Sequence, residues 1–320
     1  MKKLLHALAA TAVTAISLVT VTAPAGATGT TIGGSGSQYF LNDALSGSAN
    51  RVFVYGDPAD EVRFGDWDGN GTDTPMIRRG ITFYLSNANA TSGASQVFTY
   101  GDRGDTVLVG DWDGNGTDTL AVRRGGTYFV KNSLSTGTAD AVISYGNPGD
   151  TVLVGDWNGD KTSTLAVRRG GSYFVKNSIS TGTADVVFGF GNPDDVVLVG
   201  DWDGNRTSTL GVRRGGTYSV RNSNTSGPAD VVFGYGNPND TSFVGDWDGN
   251  GTDTLGVRRE LRRANPPAAN QPGNPGDTVN CSDFSTQAAA QVYFDRYYPY
   301  YGDVAKLDSD NNRRACESLP

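Results

Sequence analysis

One decapeptide recurs five times at a fixed interval, and that recurrence confines the chain to repeat architectures. Gly65-Asp66-Trp67-Asp68-Gly69-Asn70-Gly71-Thr72-Asp73-Thr74 reappears from Gly110, Gly155, Gly200 and Gly245, each copy 45 residues after the last. The residues between the copies repeat as well. Each Asp loop leads into a strand-like run ending in paired arginines, such as Leu120-Ala121-Val122-Arg123-Arg124, then Gly-Gly and an aromatic strand, Thr127-Tyr128-Phe129-Val130-Lys131-Asn132. A Ser/Thr/Gly turn precedes Ala141-Val142-Ile143-Ser144-Tyr145, and a Gly-Asn-Pro-Gly-Asp turn precedes Thr151-Val152-Leu153-Val154 and the next Asp loop. That is four short strands per unit, separated by turn residues and without helical periodicity. Four strands in a unit of this length make one propeller blade; the coils of the competing β-solenoid are shorter and carry fewer turns. Val107-Leu108-Val109 is continuously apolar, as an innermost strand buried on both faces requires.

The phase of the repeat predicts how the ring closes. The repeats begin with two outer strands, Gln38–Asn42 and Arg51–Tyr55, and end with two inner ones, Phe243–Trp247 and Leu255–Arg259. Pairing the two ends completes a fifth blade and leaves no open seam. The predicted fold is therefore all-β, a five-bladed β-propeller over 38–259 closed by its N- and C-terminal strands, with a small disulfide-bonded helix–loop module at the C-terminus.

The N-terminus bears on compartment. Lys2 and Lys3 precede an apolar, charge-free stretch from Leu4 to Val21, and Ala25-Gly26-Ala27 is a small-x-small cleavage site. Residues 1–27 read as a signal peptide, 28–37 as a linker, and the expected location is secreted, extracellular or cell-surface. The formal net charge of −8 becomes more negative once the two leader lysines are removed. That balance argues against nucleic acid or an anionic membrane as the main partner. No segment beyond the leader is apolar enough for membrane insertion, and a monomer is expected. The sole histidine, His6, lies in the leader, so the mature chain has no histidine for a catalytic triad or a zinc site.

The Asp loops resemble the FG-GAP/VCBS repeats of bacterial surface propellers and integrin head domains, over Gln38 to Arg259 and in five in-register copies. Such loops bind calcium through oxygens at positions 1, 3 and 5, a backbone carbonyl at 7 and an Asp at 9, with Gly at 6 for the sharp turn. Here position 9 is Thr in every copy, and an Asp stands at position 8 in three. The resemblance implies metal ligation by Asp66, Asp68, Asn70, Thr72 and Asp73 in blade one. Asp111, Asp113, Asn115, Thr117 and Asp118 correspond in blade two, and Asp246, Asp248, Asn250, Thr252 and Asp253 in blade five. Blades three and four carry Ser163 and Ser208 at position 8 and Lys161 and Arg206 at position 6. Weaker sites are expected there, at Asp156, Asn158 and Asp160, and at Asp201, Asp203 and Asn205. The alternative is an Asx-turn network in which the same side chains cap backbone N–H groups without an ion.

Other repeated residues have structural readings. The loop tryptophans Trp67, Trp112, Trp157, Trp202 and Trp247 are expected to pack between blades. One arginine of each pair is expected to reach a turn aspartate of a neighbouring blade. Arg103-Gly104-Asp105 spells the integrin tripeptide, but its Asp belongs to the repeat and the match reads as chance.

Residues 260–280 are rich in Pro, Asn and Gly and read as a linker. Beyond them, Asn280-Cys281-Ser282-Asp283-Phe284, a helix-like stretch to about Tyr298, and Leu307-Asp308-Ser309-Asp310-Asn311-Asn312-Arg313-Arg314-Ala315-Cys316-Glu317 resemble the Excalibur domain of extracellular bacterial proteins. The resemblance covers 281–320 and implies a calcium loop using Asp308, Asp310, Asn312, the Arg314 carbonyl and Glu317. Asn312 in place of Asp and Arg313 in place of Gly both weaken it. A Cys281–Cys316 disulfide would stabilise so small a module by ~3–4 kcal/mol.

The function expected from these features is that of a non-enzymatic calcium-binding interaction protein, recognising a glycan, a cell-wall polymer or a protein. The rival is a glycoside hydrolase, because five-bladed propellers also house paired catalytic carboxylates. A catalytic acid should break the repeat, and among propeller acids Glu61 does so, where other copies have Thr106, Thr151, Val196 and Thr241.

Overall fold

The computed structural model describes residues 32–260, 272–309 and 314–320. The signal-peptide reading of 1–27 and the ion-loop positions Asp310 and Asn312 lie outside the described residues. The chain divides into two compact units, 1–259 and 260–320.

The first unit holds five antiparallel four-stranded sheets. Strands β1 (Gln38–Leu41) and β2 (Arg51–Val54) come first, and β3 (Glu61–Gly65), β4 (Thr74–Arg79), β5 (Thr82–Leu85) and β6 (Gln96–Thr99) form blade one. Blades two, three and four span 106–144, 151–189 and 196–234. The last strands, β19 (Thr241–Gly245) and β20 (Thr254–Arg259), pair with β1 and β2 in the order β19-β20-β1-β2, which makes blade five. The expected closure is therefore present: Gln38 lies opposite Arg259 and Leu41 opposite Gly256. First strands contact those of neighbouring blades, so they are the innermost, and Val107, Leu108 and Val109 are buried as predicted.

The core is divided among the blade junctions. Trp67, from blade one, packs with Val107, Val109, Leu120 and Val122 of blade two, and Trp157 packs with Val197, Val199 and Leu210 of blade four. The tryptophans thus fill the space between sheets, as expected. At the seam, Trp247, Phe243, Phe64 and Tyr39 form an aromatic cluster that joins blade five to blade one. Such close approach explains the loop's first glycine: a Cβ on Gly65 would sit 2.9 Å from Asp118 Oδ2 and from Val109, both on the next blade.

Two boundaries differ from the sequence reading. Ile32 is buried in the seam cluster, bridges Val62, and donates its N–H to the Val62 carbonyl at 2.9 Å. Arg258 in turn donates to the carbonyls of Ile32, Gly33, Gly34 and Gly36, so 32–37 is part of the ring's fastening and not a linker. In the second unit, Tyr301 donates to the Pro272 carbonyl and Lys306 pairs with Asp277 at 2.6 Å, so the module begins before 281.

That module is built on one helix, α1 (Gln287–Tyr301), three residues longer than expected. Thr286 caps its N-terminus by accepting from Ala289, and Gly302, at φ 66°, ends it with an N–H to Tyr298. Ala290 and Phe294, one turn apart, bury against Ala305, Leu307 and Ala315. The Cys281–Cys316 disulfide is present. Among the described residues, no helix is long and apolar enough to cross a membrane.

Removing residues 28–56 takes β1 and β2 from blade five and exposes the edge of β20. The expected product is aggregated, or melts far below the parent, whereas removing 260–320 leaves the propeller folded. Size-exclusion profiles and thermal melts of both truncations check this. A monomeric N-terminal truncation melting within a few degrees of the parent would contradict the closure.

Candidate functional site

Each Asp loop joins the first two strands of a blade and turns sharply enough to aim several backbone N–H groups inward. The position-1 carboxylate collects them. Asp66 accepts from Gly69, Asn70 and Gly71 at 2.8, 3.0 and 2.7 Å, and Asn70 Oδ1 accepts from Thr72 at 2.8 Å. The pattern recurs at Asp111, Asp156, Asp201 and Asp246, with Asn115, Asp160, Asn205 and Asn250 taking the position-7 N–H. This is the Asx-turn network. Position 3, in Asp68, Asp113, Asn158, Asp203 and Asp248, is exposed.

Replacing the position-6 glycine does not change the loop. Lys161 and Arg206 hold φ of 78° and 70°, close to the 86° and 87° of Gly71 and Gly116, and donate to Asp156 and Asp201 as the glycines do. A left-handed conformation costs a residue with a Cβ about 1–2 kcal/mol, which the capping offsets.

Position 8 behaves differently from the rest of the loop. Asp118 faces the loop of blade one: its N–H donates to the Asp66 carbonyl at 2.7 Å, and its Oδ2 accepts from the Asp66 N–H at 3.0 Å. Asp73 does the same to Asp246 of blade five, and Asp253 to Asp201 of blade four. Ser163 and Ser208 make the same two-way contact to Asp111 and Asp156 through Oγ. Five such pairs form a belt around the loop end of the ring. The structure therefore brings each position-8 acid to the loop of the preceding blade and not to its own. Blade four's loop gains Asp253, while blade two's loop receives a serine.

The belt acids are short of solvation. Asp118 and Asp253 keep some solvent exposure, yet the surrounding protein strips most of their hydration, and burial pushes both carboxyls up to about 7. Burial also raises Asp73 well above the usual carboxylate range, with Asp118 and Asp253 adding like-charge repulsion. Among the described residues, no group of three or more acid, histidine or cysteine side chains is drawn together closely enough to hold a metal ion.

The arginine pairs grip the turns between blades from both sides. The second arginine pairs with the turn aspartate of its own blade, not of a neighbour as the sequence suggested: Arg124 Nε and Nη2 meet Asp105 at 2.6 and 2.8 Å, and Arg169 meets Asp150 at 2.8 and 2.6 Å. The Arg169 guanidinium holds the Asp150 carboxyl below its ordinary value. The first arginine reaches the next blade through carbonyls: Arg78 donates to Asp105 and Asp102, and Arg123 to Asp150 and Asn147. Asp105 is buried in this clamp, which removes the Arg103-Gly104-Asp105 tripeptide as a recognition element.

Glu61, the acid that breaks the repeat, is held between Arg63 and Arg78 at 3.4 and 3.3 Å. Arg63 itself stands where other blades place Leu108, Leu153, Leu198 and Phe243. In the C-terminal module Asp308 is buried, and Glu317 pairs with Arg314 at 3.1 Å.

Position 8 did carry a signal that sequence reasoning missed. Asp and Ser share a short side-chain oxygen that accepts from backbone N–H groups, which suits capping better than ligation.

No protein-family model matches the chain, and no curated protein does. Among solved structures, the crystal structure of BBS1N in complex with ARL6DN, soaked with mercury, is similar at 13% identity and a TM-score of 0.32, over 55% of this chain and 53% of that one. The same complex soaked with lead gives 13% and 0.32 over 63% and 62%. The chain thus spans roughly half to three-fifths of those structures.

A belt acid whose folded-state value lies above its unfolded one binds its proton more tightly when folded, so stability falls as pH rises through about 4 to 7. Asp118→Asn keeps an acceptor for the Asp66 N–H and removes the charge. In chelator, the parent is expected to melt lower at pH 8 than at pH 5, and the variant to recover part of that loss, since Asp73 and Asp253 remain. Melts at the two pH values check it, and a variant less stable than the parent at both would count against the belt.

Proposed function

We propose that this chain is an exported, non-enzymatic interaction propeller whose Asp loops associate with calcium. The observation that carries the non-enzymatic reading is the state of Glu61. A glycosidase needs two carboxylates flanking the scissile bond. Glu61, the acid that breaks the repeat, is instead tied to two arginines in a structural ion pair. The ring otherwise presents the same side chains several times over, as suits a surface that contacts a repeated or extended partner. The Cys281–Cys316 disulfide supports export, because such bonds persist in oxidising compartments.

Calcium suits the type of donor these loops carry, hard oxygens, and would have to draw together acids that stand apart in the described residues. The belt acids are hard oxygen donors that repel one another, and each accepts from a backbone N–H group. The position-3 carboxylates Asp68, Asp113, Asp203 and Asp248 are exposed on the same loops. A divalent ion would relieve the repulsion among these groups. Because position 8 serves the preceding blade, the loops of blades one and five each command three acids and no base: Asp66, Asp68 and Asp118, and Asp246, Asp248 and Asp73. Blade two's loop keeps Asp111 and Asp113 beside Ser163.

Calorimetric titration with calcium tests this. An affinity near ~10⁻⁴–10⁻³ M, the range of extracellular modules, is expected. Asp66→Ala and Asp246→Ala are expected to lower bound calcium more than Asp111→Ala or Asp156→Ala. Equal losses from all four would remove the ranking, and no heat from the parent would remove calcium from the proposal.

A further inference from the structure

Where one blade meets the next, the rim carries a cleft that recurs at equivalent positions. The clefts of blades two, three and five measure about 450, 330 and 390 Å³, within the size range of small-ligand sites. Each is built from the same parts. A tyrosine from the preceding blade is fixed by its hydroxyl, which donates to a carbonyl: Tyr100 to Phe129, Tyr145 to Phe174 and Tyr235 to Phe40, at 2.9, 2.8 and 3.1 Å. The second arginine of the pair lies over that phenylalanine, with its guanidinium 4.8, 4.8 and 4.5 Å from the ring centre in Arg124, Arg169 and Arg259. A Gly-Thr-Ala or Gly-Ser-Ala turn forms the wall.

Val142 and Val52 line two of the clefts at 58% and 52% exposure, but Val97, Val187 and Val232 are as exposed at the same repeat position, so variation among the blades is what separates the clefts from ordinary packing. In blade four, Phe190 replaces the tyrosine and Ser219 the stacked phenylalanine, yet the blade keeps its strands. The fold therefore does not require this pair of aromatics.

The geometry points to the clefts of blades two, three and five as equivalent subsites for a neutral polysaccharide, each taking one pyranose ring. This rests on the reading of the chain as an interaction propeller. Charge selects the class of ligand. The turn carboxylate takes Nε and Nη2 of each arginine, so the guanidinium is neutralised and Nη1 is left for a ligand oxygen. Asp102 adds negative charge in blade two, and no cleft has the excess positive charge that an acidic polymer needs. Valine and the stacked arginine–phenylalanine pair offer an apolar floor. Thr138, Thr183 and Ser48 and the turn backbone supply hydrogen bonds at the edge. A sugar ring has that shape and polarity: uncharged, one face of C–H groups, hydroxyls around the rim. Repetition then compensates for weak single contacts, because one polymer engages several clefts at a high effective concentration.

The test uses the purified mature chain with insoluble chitin, cellulose, xylan, mannan and starch, and with polygalacturonate as the acidic control. Retention is expected on at least one neutral polymer and not on polygalacturonate. Phe174→Ser and Phe129→Ser copy blade four's own residue, and each is expected to weaken polymer binding about tenfold or more. Titration with a hexamer of the retained sugar should show one site fewer in each of these variants than in the parent. Val142→Asp, on an exposed side chain, gives the same loss without touching the core. Binding unchanged in all three variants would overturn the cleft assignment. Retention on cell-envelope preparations that protease abolishes, with none on any neutral polymer, would overturn the glycan assignment and leave the interaction reading standing. No retention on either material would overturn both.

Discussion

The ring depends on a two-way contact at position 8 of each Asp loop, where one residue gives its N–H to the preceding blade and takes that blade's N–H in return. Within a blade, strand pairing satisfies the backbone; between blades it cannot, because neighbouring sheets meet face to face and share no ladder. The junctions therefore need other means. Buried tryptophans and valines supply the apolar contact, and the belt and the arginine clamps supply the polar part at the loops and at the connecting turns. Apolar contact alone is non-directional, so the polar contacts are what fix the angle at which each blade meets the next.

The same contacts show how the ring tolerates variation. Asp stands at position 8 in three blades and Ser in two, and both can accept from an amide N–H; they differ in charge. Carboxylates at three belt positions come at an electrostatic cost that serine avoids, since desolvation and mutual repulsion both oppose ionisation. Packing gives no reason to keep the charge where a hydroxyl serves equally well.

Much of the fold was legible in the sequence because a repeat multiplies weak signals. One strand of alternating residues is ambiguous, but five in register are not, and the phase of the repeat alone sets Gln38–Asn42 against the strand at Leu255–Arg259. What was not legible depends on contacts between units. The direction in which Asp118 points, the blade that Arg124 serves and the burial of Ile32 are all settled across a junction, where spacing along the chain carries no information. The candidate site was legible to the same degree: the Asp loops were found as a set, and their charges were assigned to the wrong neighbour. The rim clefts left still less trace, since each draws its parts from two blades.

The clasp between β1 and β20 also orders events in time. Its partners are separated by more than two hundred residues, and the pairing of Gln38 with Arg259 is among the most distant contacts the propeller makes. Contacts of such separation form late and slowly, because chain entropy must be lost before they form. During synthesis the hairpin of β1 and β2 emerges first and waits, edge exposed, for β20 to follow it. A ring fastened by its first and last strands thus stays open until the whole repeat array has been made.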